Sequence, residues 1–163
     1  MSVHIRWMIR RDMPEVLHIE NDSFEHPWSE EDFITSLRQR NCIGMVAEVN
    51  EKVVGYMVYE LHRNKLYLIN LAVHKDYRRK GIGKTMVDKL YNKLSEQRRN
   101  RIALEVRERN LDAQLFLRSV GFSATRIEWG FYEYKNEYGE IEVEDAYHMV
   151  RRFERECGYS VAV

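Results

Sequence analysis

The chain has 163 residues, in which 26 lysines and arginines are balanced by 26 aspartates and glutamates. This length suits a single domain, which we expect to span residues 1–163, and the balanced charge disfavours a nucleic-acid-binding module. The charged share of 32% and the lack of an apolar run approaching the roughly 20 residues that span a bilayer argue against a membrane protein.

The N-terminus and the cysteines indicate the compartment. Residues 1–6 contain no apolar signal-peptide core, and Ser2 stands where myristoylation requires glycine. Cys42 and Cys157 lie far apart without ligand-like spacing around them, which is typical of free thiols in a reducing compartment. We therefore expect a cytoplasmic protein without a disulfide, a bound metal, a nucleic-acid partner or a membrane partner. The C-terminal segment 155–163 follows no pattern, and we expect it to be partly mobile.

The first part of the chain predicts a strand followed by a helix. The strand covers residues 5–9. Asp12 and Glu15, three residues apart, form a capping-box pattern that predicts a helix running toward Glu20.

A second helix start is marked more strongly. Ser29 and Asp32 form a capping-box pattern, and Trp28 and Phe33 have the spacing of a hydrophobic staple, so we expect a helix that ends near Leu37. On these grounds the Pro-Trp-Ser run is explained by a rigid helix start.

Three strand-like runs follow at residues 43–49, 53–61 and 66–73. They are rich in valine, isoleucine, leucine and tyrosine and are separated by short polar turns. The third run has few polar residues apart from Asn70, as expected of a central strand that is covered on both faces.

The remaining elements complete an α/β chain of the α+β type. We expect an amphipathic helix, a strand at 102–106, a short helix ended by Gly121, and two last strands at 126–134 and 141–153 joined by a turn at 136–139. The apolar stripes of the two helices consist of Ile82, Met86, Val87, Leu90 and Leu94 and of Ala113, Phe116, Leu117 and Val120. The order β-α-α-β-β-β-α-β-α-β-β predicts a mixed, mostly antiparallel sheet with helices on both faces.

Two glycines, Gly81 and Gly83, lie between the third of these strands and the amphipathic helix. They let backbone N–H groups converge, and the helix start adds unpaired donors, so the turn can hold a phosphate or pyrophosphate. The counter-charge would come from Arg78, Arg79, Lys80 and Lys84. The same basic residues also suit a solvated helix start. The spacing excludes a P-loop, and a dinucleotide-binding Rossmann motif is disfavoured because Met86 stands where its third glycine belongs.

The pattern Arg78-x-x-Gly81-x-Gly83 matches the coenzyme A signature of the GNAT acetyltransferases, and the predicted element order is also that of the GNAT fold. Within this superfamily the chain resembles the RimI-type protein N-terminal acetyltransferases over nearly its whole length. The resemblance is carried by residues 24–33, by Asn70-Leu71-Ala72-Val73, by residues 104–110, by Gly121-Phe122 and by the tyrosines of the last hairpin. It implies a single-domain GNAT fold and acetyl transfer from acetyl-CoA, a co-substrate, without a metal.

The resemblance also implies which residues bind the coenzyme. The backbone of Leu71, Ala72 and Val73 would hold its acetyl and pantetheine parts. The pyrophosphate would be bound by the turn, at Arg79, Lys80, Gly81, Ile82, Gly83 and Lys84. Asn110 would also reach the coenzyme, although it is equally a natural N-cap of the following helix.

Glu105 matches the general base of the family. A carboxylate at this position can accept the proton that an amine must lose before it attacks a thioester, through a water molecule. Strand periodicity alone would instead make Glu105 an ordinary surface glutamate. A protein α-amine has a pKa of about 8 and a lysine amine one of about 10.4, so deprotonating the α-amine costs roughly 3 kcal/mol less. A carboxylate, which is a weak base, is therefore better suited to an α-amine acceptor.

One position departs from the family. RimI-type enzymes carry a tyrosine four residues before Gly-Phe as the acid for the departing thiolate, and here that position is Leu117. Tyr132 is the first candidate to replace this tyrosine as the acid, and Tyr134 and Tyr138 are the next candidates. Alternatively, a thiolate whose thiol has a pKa of about 8.5 leaves without an acid. A third interpretation is a protein that binds acyl-CoA without turning it over.

The resemblance places Phe24, Pro27, Trp28 and Tyr132 near the acceptor, although aromatic residues here also suit simple packing. The acidic residues of segment 133–145 suit a solvated hairpin or a surface that attracts a basic N-terminus. The implied function is acetyl transfer to a protein N-terminus, of a ribosomal protein with an N-terminal alanine or of a broader set. The alternatives are a small-amine acetyltransferase, for a polyamine or aminoglycoside, and a non-catalytic acyl-CoA-binding module.

Overall fold

The computed structural model describes residues 1–155 and residue 162. Cys157 and most of the segment for which a mobile tail is expected lie outside the described residues. The described part contains seven strands and four helices: β1 (His4–Trp7), α1 (Met13–Ser23), α2 (Glu30–Leu37), β2 (Cys42–Val49), β3 (Lys52–Leu61), β4 (Leu66–Val73), α3 (Ile82–Tyr91), β5 (Arg101–Arg107), α4 (Leu111–Ser119), β6 (Ser123–Lys135) and β7 (Ile141–Arg152). The predicted order of elements is confirmed.

The strands form one sheet in the order β1-β2-β3-β4-β5-β7-β6. Neighbouring strands are antiparallel except β4 and β5, which are parallel. The predicted mixed, mostly antiparallel sheet is therefore confirmed. None of the helices in the described part is both long enough and apolar enough to cross a membrane.

Two apolar clusters cover the two faces of the sheet. The larger cluster joins α3 and α4 to the sheet and includes Leu66, Ile102 and Leu104. The smaller cluster joins α1 and α2 to β2, β3 and β4, and its centre includes Phe33 and Tyr56. Helices on both faces bury the central strands, whereas the face of β5 and β7 opposite the larger cluster carries the register partners Glu105 and His148.

The start of α1 differs from the prediction. Asp12 does not cap α1 with its side chain. Its carboxylate instead accepts the Ile9 N–H at 2.8 Å and pairs with Arg6 of β1 at 2.8 Å. The capping box with Glu15 was therefore wrong, because a charged partner from β1 takes the carboxylate and a short 3-10 helix precedes α1.

The start of α2 confirms the prediction. Ser29 Oγ accepts the Asp32 N–H at 3.1 Å, and the Asp32 carboxylate accepts the Ser29 N–H at 2.9 Å. The rings of Trp28 and Phe33 pack edge to face with centroids 5.0 Å apart. The helix ends at Leu37, as the sequence predicts.

Candidate active site

The parallel strands β4 and β5 separate soon after they begin. Their pairing comprises Leu66 with Ile102 and Tyr67 with Ala103. Strand β4 nevertheless continues to pair with β3 as far as Val73. A register shift leaves Ile69 as an extra residue on β4, and such a bulge increases strand twist and bends the strand. The side of β4 that faces β5 therefore presents backbone groups without a strand partner at Leu71 and Val73, whereas the backbone of Ala72 between them faces β3.

The glycine turn gives α3 an open N-terminus. Gly81 is the N-cap residue with φ +82°, in the left-handed region, and no side chain caps the helix. A Cβ at Gly83 would lie 2.9 Å from two ring carbons of Phe116, so α3 approaches α4 closely here. The first amides of α3, at Ile82, Gly83 and Lys84, are left without a side-chain acceptor, which is the arrangement that binds phosphate groups.

The basic residues of the turn have different roles. Arg78 donates from Nε to the Val73 carbonyl at 2.9 Å and from Nη2 to Ser23 Oγ at 3.1 Å, so it fastens the turn to the end of β4. Lys84 pairs with Asp88 at 2.7 Å. The Lys80 ammonium lies 5.3 Å from the ring centroid of Tyr77. Arg79 is exposed and has φ +60°.

Asn110 caps α4, with Oδ1 accepting the Ala113 N–H at 3.1 Å. Capping of α4 is a sufficient structural reason for an asparagine at this position. Its contact with a coenzyme stays a prediction.

Glu105 is the centre of a buried polar cluster. It lies on β5 two residues beyond the last β4–β5 pair, and its side chain is 7% exposed. Tyr67 of β4 donates its O–H to Oε1, and Nδ1 of His148 on β7 lies 2.7 Å from Oε2. Burial raises the pKa of the Tyr67 phenol, and the Glu105 carboxylate raises it further. Glu105 is therefore not the surface glutamate that periodicity alone would allow.

Tyr132 lies beside this cluster. Its O–H donates to the Glu105 carbonyl at 3.3 Å, and the Arg107 guanidinium lies 4.0 Å from its ring centroid. Burial raises the pKa of Tyr132 to about 12, although the Arg107 charge opposes the shift. Tyr134 stacks on His26 with centroids 4.1 Å apart, and Tyr138 is 78% exposed. Of the three candidate phenols, Tyr132 is therefore the one next to Glu105.

Leu117, which replaces the expected tyrosine, is buried in the larger apolar cluster. It packs there as an ordinary core residue. The position supplies no proton donor.

The loop between α1 and α2 carries the residues predicted to meet the acceptor. Phe24 and Trp28 are half-buried against the smaller apolar cluster, so both contribute to packing, and Pro27 is exposed. The Trp28 N–H donates to Oε1 of the buried Glu20 at 2.9 Å. The stack of His26 on Tyr134 brings this loop against the β6–β7 hairpin. A role of these residues in acceptor binding stays a prediction.

Glu105, Glu128 and His148 offer one ligand atom each within 4.8 Å of one another. Tyr67 already donates to Glu105, and Arg126 pairs with Glu128 at 3.0 Å. Because protein donors occupy these oxygens, we assign the three residues to a hydrogen-bonded cluster. That the enzyme works without a metal stays a prediction.

Sequence reasoning missed Tyr67, His148, Glu20 and His26. The alternation of Leu66 and Leu68 with Tyr67 in β4 could have placed the phenol opposite the larger cluster. No local pattern could have paired His148 with Glu105, because that contact depends on the register of strands 43 residues apart.

The comparisons with known proteins agree with this geometry. Residues 13–122 match the acetyltransferase (GNAT) family. The [ribosomal protein bS18]-alanine N-acetyltransferase of Escherichia coli is 29% identical over 121 residues, which cover 74% of this chain and 81% of that protein. An uncharacterised N-acetyltransferase of Methanocaldococcus jannaschii is 30% identical over 155 residues, covering 91% and 90% of the two chains.

A solved structure extends the likeness to three dimensions. The crystal structure of the ribosomal-protein-S18-alanine N-acetyltransferase from Escherichia coli superposes with a TM-score of 0.78 at 25% identity, covering 99% of this chain and 100% of that one. The chain therefore belongs to the GNAT family, as an acetyl-CoA-dependent N-acetyltransferase of the RimI type.

Proposed function

We propose that the enzyme transfers the acetyl group of acetyl-CoA to the N-terminal α-amine of a protein. The observation that carries the proposal is the position of Glu105, a buried carboxylate at the mouth of the opening between β4 and β5, with the phenols of Tyr67 and Tyr132 beside it. A base at this point can act on an amine that approaches a thioester lying along β4.

Two features of the chain fit coenzyme A. The open α3 N-terminus suits a pyrophosphate, with amides at Gly81, Ile82, Gly83 and Lys84 and nearby charge from Arg79 and Lys80. The unpaired edge of β4 suits the amide-bearing pantetheine arm, with Leu71 and the Val73 N–H facing the opening and Ala72 lying between them. Acetyl-CoA supplies an activated thioester, and the protein supplies orientation and proton transfer.

Glu105 acts as the general base. The attacking amine must lose a proton, and the Glu105 carboxylate accepts it directly or through one water molecule. A protein α-amine has a pKa about 2.4 units below that of a lysine side chain, which saves roughly 3 kcal/mol of deprotonation work. This difference favours an N-terminus over a lysine as the acceptor.

Tyr132 acts as a hydrogen-bond donor and not as the acid. Burial raises the pKa of the Tyr132 phenol to about 12, which makes it a weaker acid than a thiol at about 8.5, so full proton transfer to the leaving thiolate is unfavourable. The thiolate leaves unprotonated, and the Tyr132 O–H donates to the Glu105 carbonyl. This division of roles accommodates a leucine at position 117.

The acceptor lies between the α1–α2 loop and the β6–β7 hairpin. Phe24, Pro27, Trp28 and Tyr132 border this space. By likeness to the Escherichia coli relative, an N-terminal alanine of a ribosomal protein such as bS18 is the first candidate. Within the acidic hairpin, Glu144 already pairs with Arg107 at 3.2 Å. Electrostatic attraction of a basic N-terminus would therefore come from the other carboxylates of the hairpin.

Thiol release from acetyl-CoA tests the proposal. We expect release with peptides that have a free N-terminus, fastest with those that begin with alanine. A peptide with a blocked N-terminus and an internal lysine, and a polyamine, serve as controls and should react at background rate. Release with the polyamine or the blocked peptide alone would contradict the proposal, and release with no amine would exclude an enzyme. Glu105→Gln should lower kcat about 100-fold or more.

A further inference from the structure

His148 contacts the proposed base from an adjacent strand, at a place that the sequence does not reveal. It is the register partner of Glu105 in the β5–β7 pair, so the two side chains stand next to each other on one face of the sheet. Their side chains are each 7% exposed, and Nδ1 lies 2.7 Å from Oε2.

The hydrogen-bonding capacity of the cluster determines where the protons lie. A carboxylate that acts as a base is ionised and can only accept hydrogen bonds. Tyr67 donates to Oε1, and a 2.7 Å approach to Oε2 requires a proton between the two atoms. That proton lies on Nδ1, so His148 donates to Glu105.

The surroundings of His148 combine both signs of charge. Glu105 on β5 and Glu128 on β6 face it, the latter at 3.7 Å. A cavity of about 430 Å³ opens beside the imidazole, and its walls carry four basic residues: Lys65 of the turn before β4, Arg101 of β5, Arg126 of β6 and Arg152 of β7. On β4, the phenol of Tyr67 contacts the same Glu105 carboxylate.

We propose that His148 is the positioning residue for Glu105: its Nδ1–H fixes the carboxylate so that, with Tyr67 on the other oxygen, the base points at the incoming amine. The inference rests on the proposed function and deepens it. A buried carboxylate with one donor removed can rotate or bind a stray water, and it then loses the alignment that proton transfer needs. His148 touches neither the amine nor the thioester in this arrangement, so its effect falls on kcat.

The first experiment is chemical rescue. His148→Ala should lower kcat about tenfold or more while the KM values for peptide and acetyl-CoA stay within about threefold. Imidazole added to this variant should restore part of the rate, because the cavity beside residue 148 can admit it. 1-Methylimidazole has similar basicity but no N–H when neutral, and at pH 8.5 it should not restore the rate. Equal rescue by both compounds, rescue by neither, or an unchanged kcat in His148→Ala would overturn the proposal.

Two variants separate positioning from folding. His148→Asn places an amide N–H near the Nδ1 position and should recover most of the kcat lost in His148→Ala. His18→Ala removes a histidine whose side chain is 59% exposed and should leave kcat unchanged. If the asparagine variant is as slow as the alanine variant, the positioning role is wrong.

A second experiment does not depend on turnover. Nitrogen-15 NMR of the histidine rings in the free enzyme should show His148 with its proton on Nδ1, and Glu105→Ala should change that signal. A neutral His148 protonated on Nε2 would overturn the inference. Failure of the wild-type enzyme to release thiol would instead count against the proposed function, so the two failures are distinguishable.

Discussion

Gly83 of α3 and the ring of Phe116 on α4 lie so close that a methyl group on Gly83 would stand 2.9 Å from two ring carbons. Gly83→Ala must therefore push α3 away from α4 or turn the phenyl ring. We expect a loss of about 1–3 kcal/mol in the free energy of unfolding and weaker acetyl-CoA binding, because the shift moves the open N-terminus of α3. Urea unfolding and calorimetric titration with acetyl-CoA measure both effects.

The matched control is Gly81→Ala. A Cβ there would meet nothing within 4 Å, and the penalty comes from φ +82° alone. We expect a loss of about 1–2 kcal/mol in stability. Should Gly83→Ala bind acetyl-CoA as tightly as the wild type, the expected displacement of the α3 N-terminus would be wrong, and the ring of Phe116 would have turned to admit the methyl group.

Tyr132→Phe tests the role of the phenol near Glu105. The pKa of about 12 means that the O–H stays protonated, and able to donate, throughout pH 6 to 10. We therefore expect a kcat loss of about tenfold that is the same at every pH in this range. The measurement is the ratio of wild-type to variant kcat against pH. A ratio that falls steeply above pH 8 would indicate a phenol that ionises there and acts as the acid.

Glu20 should be important for both stability and acceptor binding. Its buried carboxylate accepts hydrogen bonds from the Trp28 N–H, the Tyr56 O–H and the Asn70 amide. Glu20→Ala leaves these buried donors without an acceptor, so we expect a loss of about 3 kcal/mol or more in the free energy of unfolding. We also expect a higher KM for the peptide, because the Trp28 N–H loses its contact with Glu20. Urea unfolding and steady-state kinetics provide the measurements.

Glu20→Gln is the informative comparison. Its amide oxygen can still accept the Trp28 N–H, and the Tyr56 hydroxyl and the Asn70 amide, which both donate to the other oxygen of Glu20, can turn to accept from the new amide N–H groups. We expect a loss near 1 kcal/mol and an almost unchanged peptide KM. Equal peptide KM values for the alanine variant and the wild type would show that the loop position does not depend on Glu20.

The Arg6–Asp12 pair makes stability sensitive to acid. Burial disfavours the charged Asp12, but the Arg6 guanidinium and the Ile9 N–H outweigh it and hold the pKa of the carboxyl below its ordinary range. A depressed folded-state pKa stabilises the protein above the unfolded pKa, near 3.9, and this contribution is lost as pH falls through the folded value.

Asp12→Asn removes that contribution. We expect the variant to be about 1–3 kcal/mol less stable than the wild type at pH 7, with the difference narrowing below about pH 4. Urea unfolding at pH 7, 4 and 3 measures it. A difference that is constant over this range would mean that the ion pair does not contribute.

The elements that the sequence predicted best depend on neighbours along the chain. The start of α2 follows from the pairing of Ser29 with Asp32, and the glycine turn follows from Gly81 and Gly83, all within a few residues. Asp12 shows the limit of such patterns, since a capping residue and a partner for Arg6 look alike in sequence.

The candidate site was predicted less completely because its contacts cross between strands. The position of Glu105 could be predicted from the family signature, but its burial could not. Burial depends on Tyr67, 38 residues earlier, and on His148, 43 residues later. Strand register decides such contacts, and register is fixed by packing of the whole sheet.

The early separation of β4 from β5 has a consequence for handling the protein. It creates an unpaired strand edge in the middle of the sheet, and unpaired edges are templates for aggregation. If the pantetheine arm takes the place of the missing strand, the coenzyme covers that edge whenever it is bound. Preparations that have lost coenzyme should then aggregate at lower temperature than those kept saturated with it, quite apart from any gain in folding free energy.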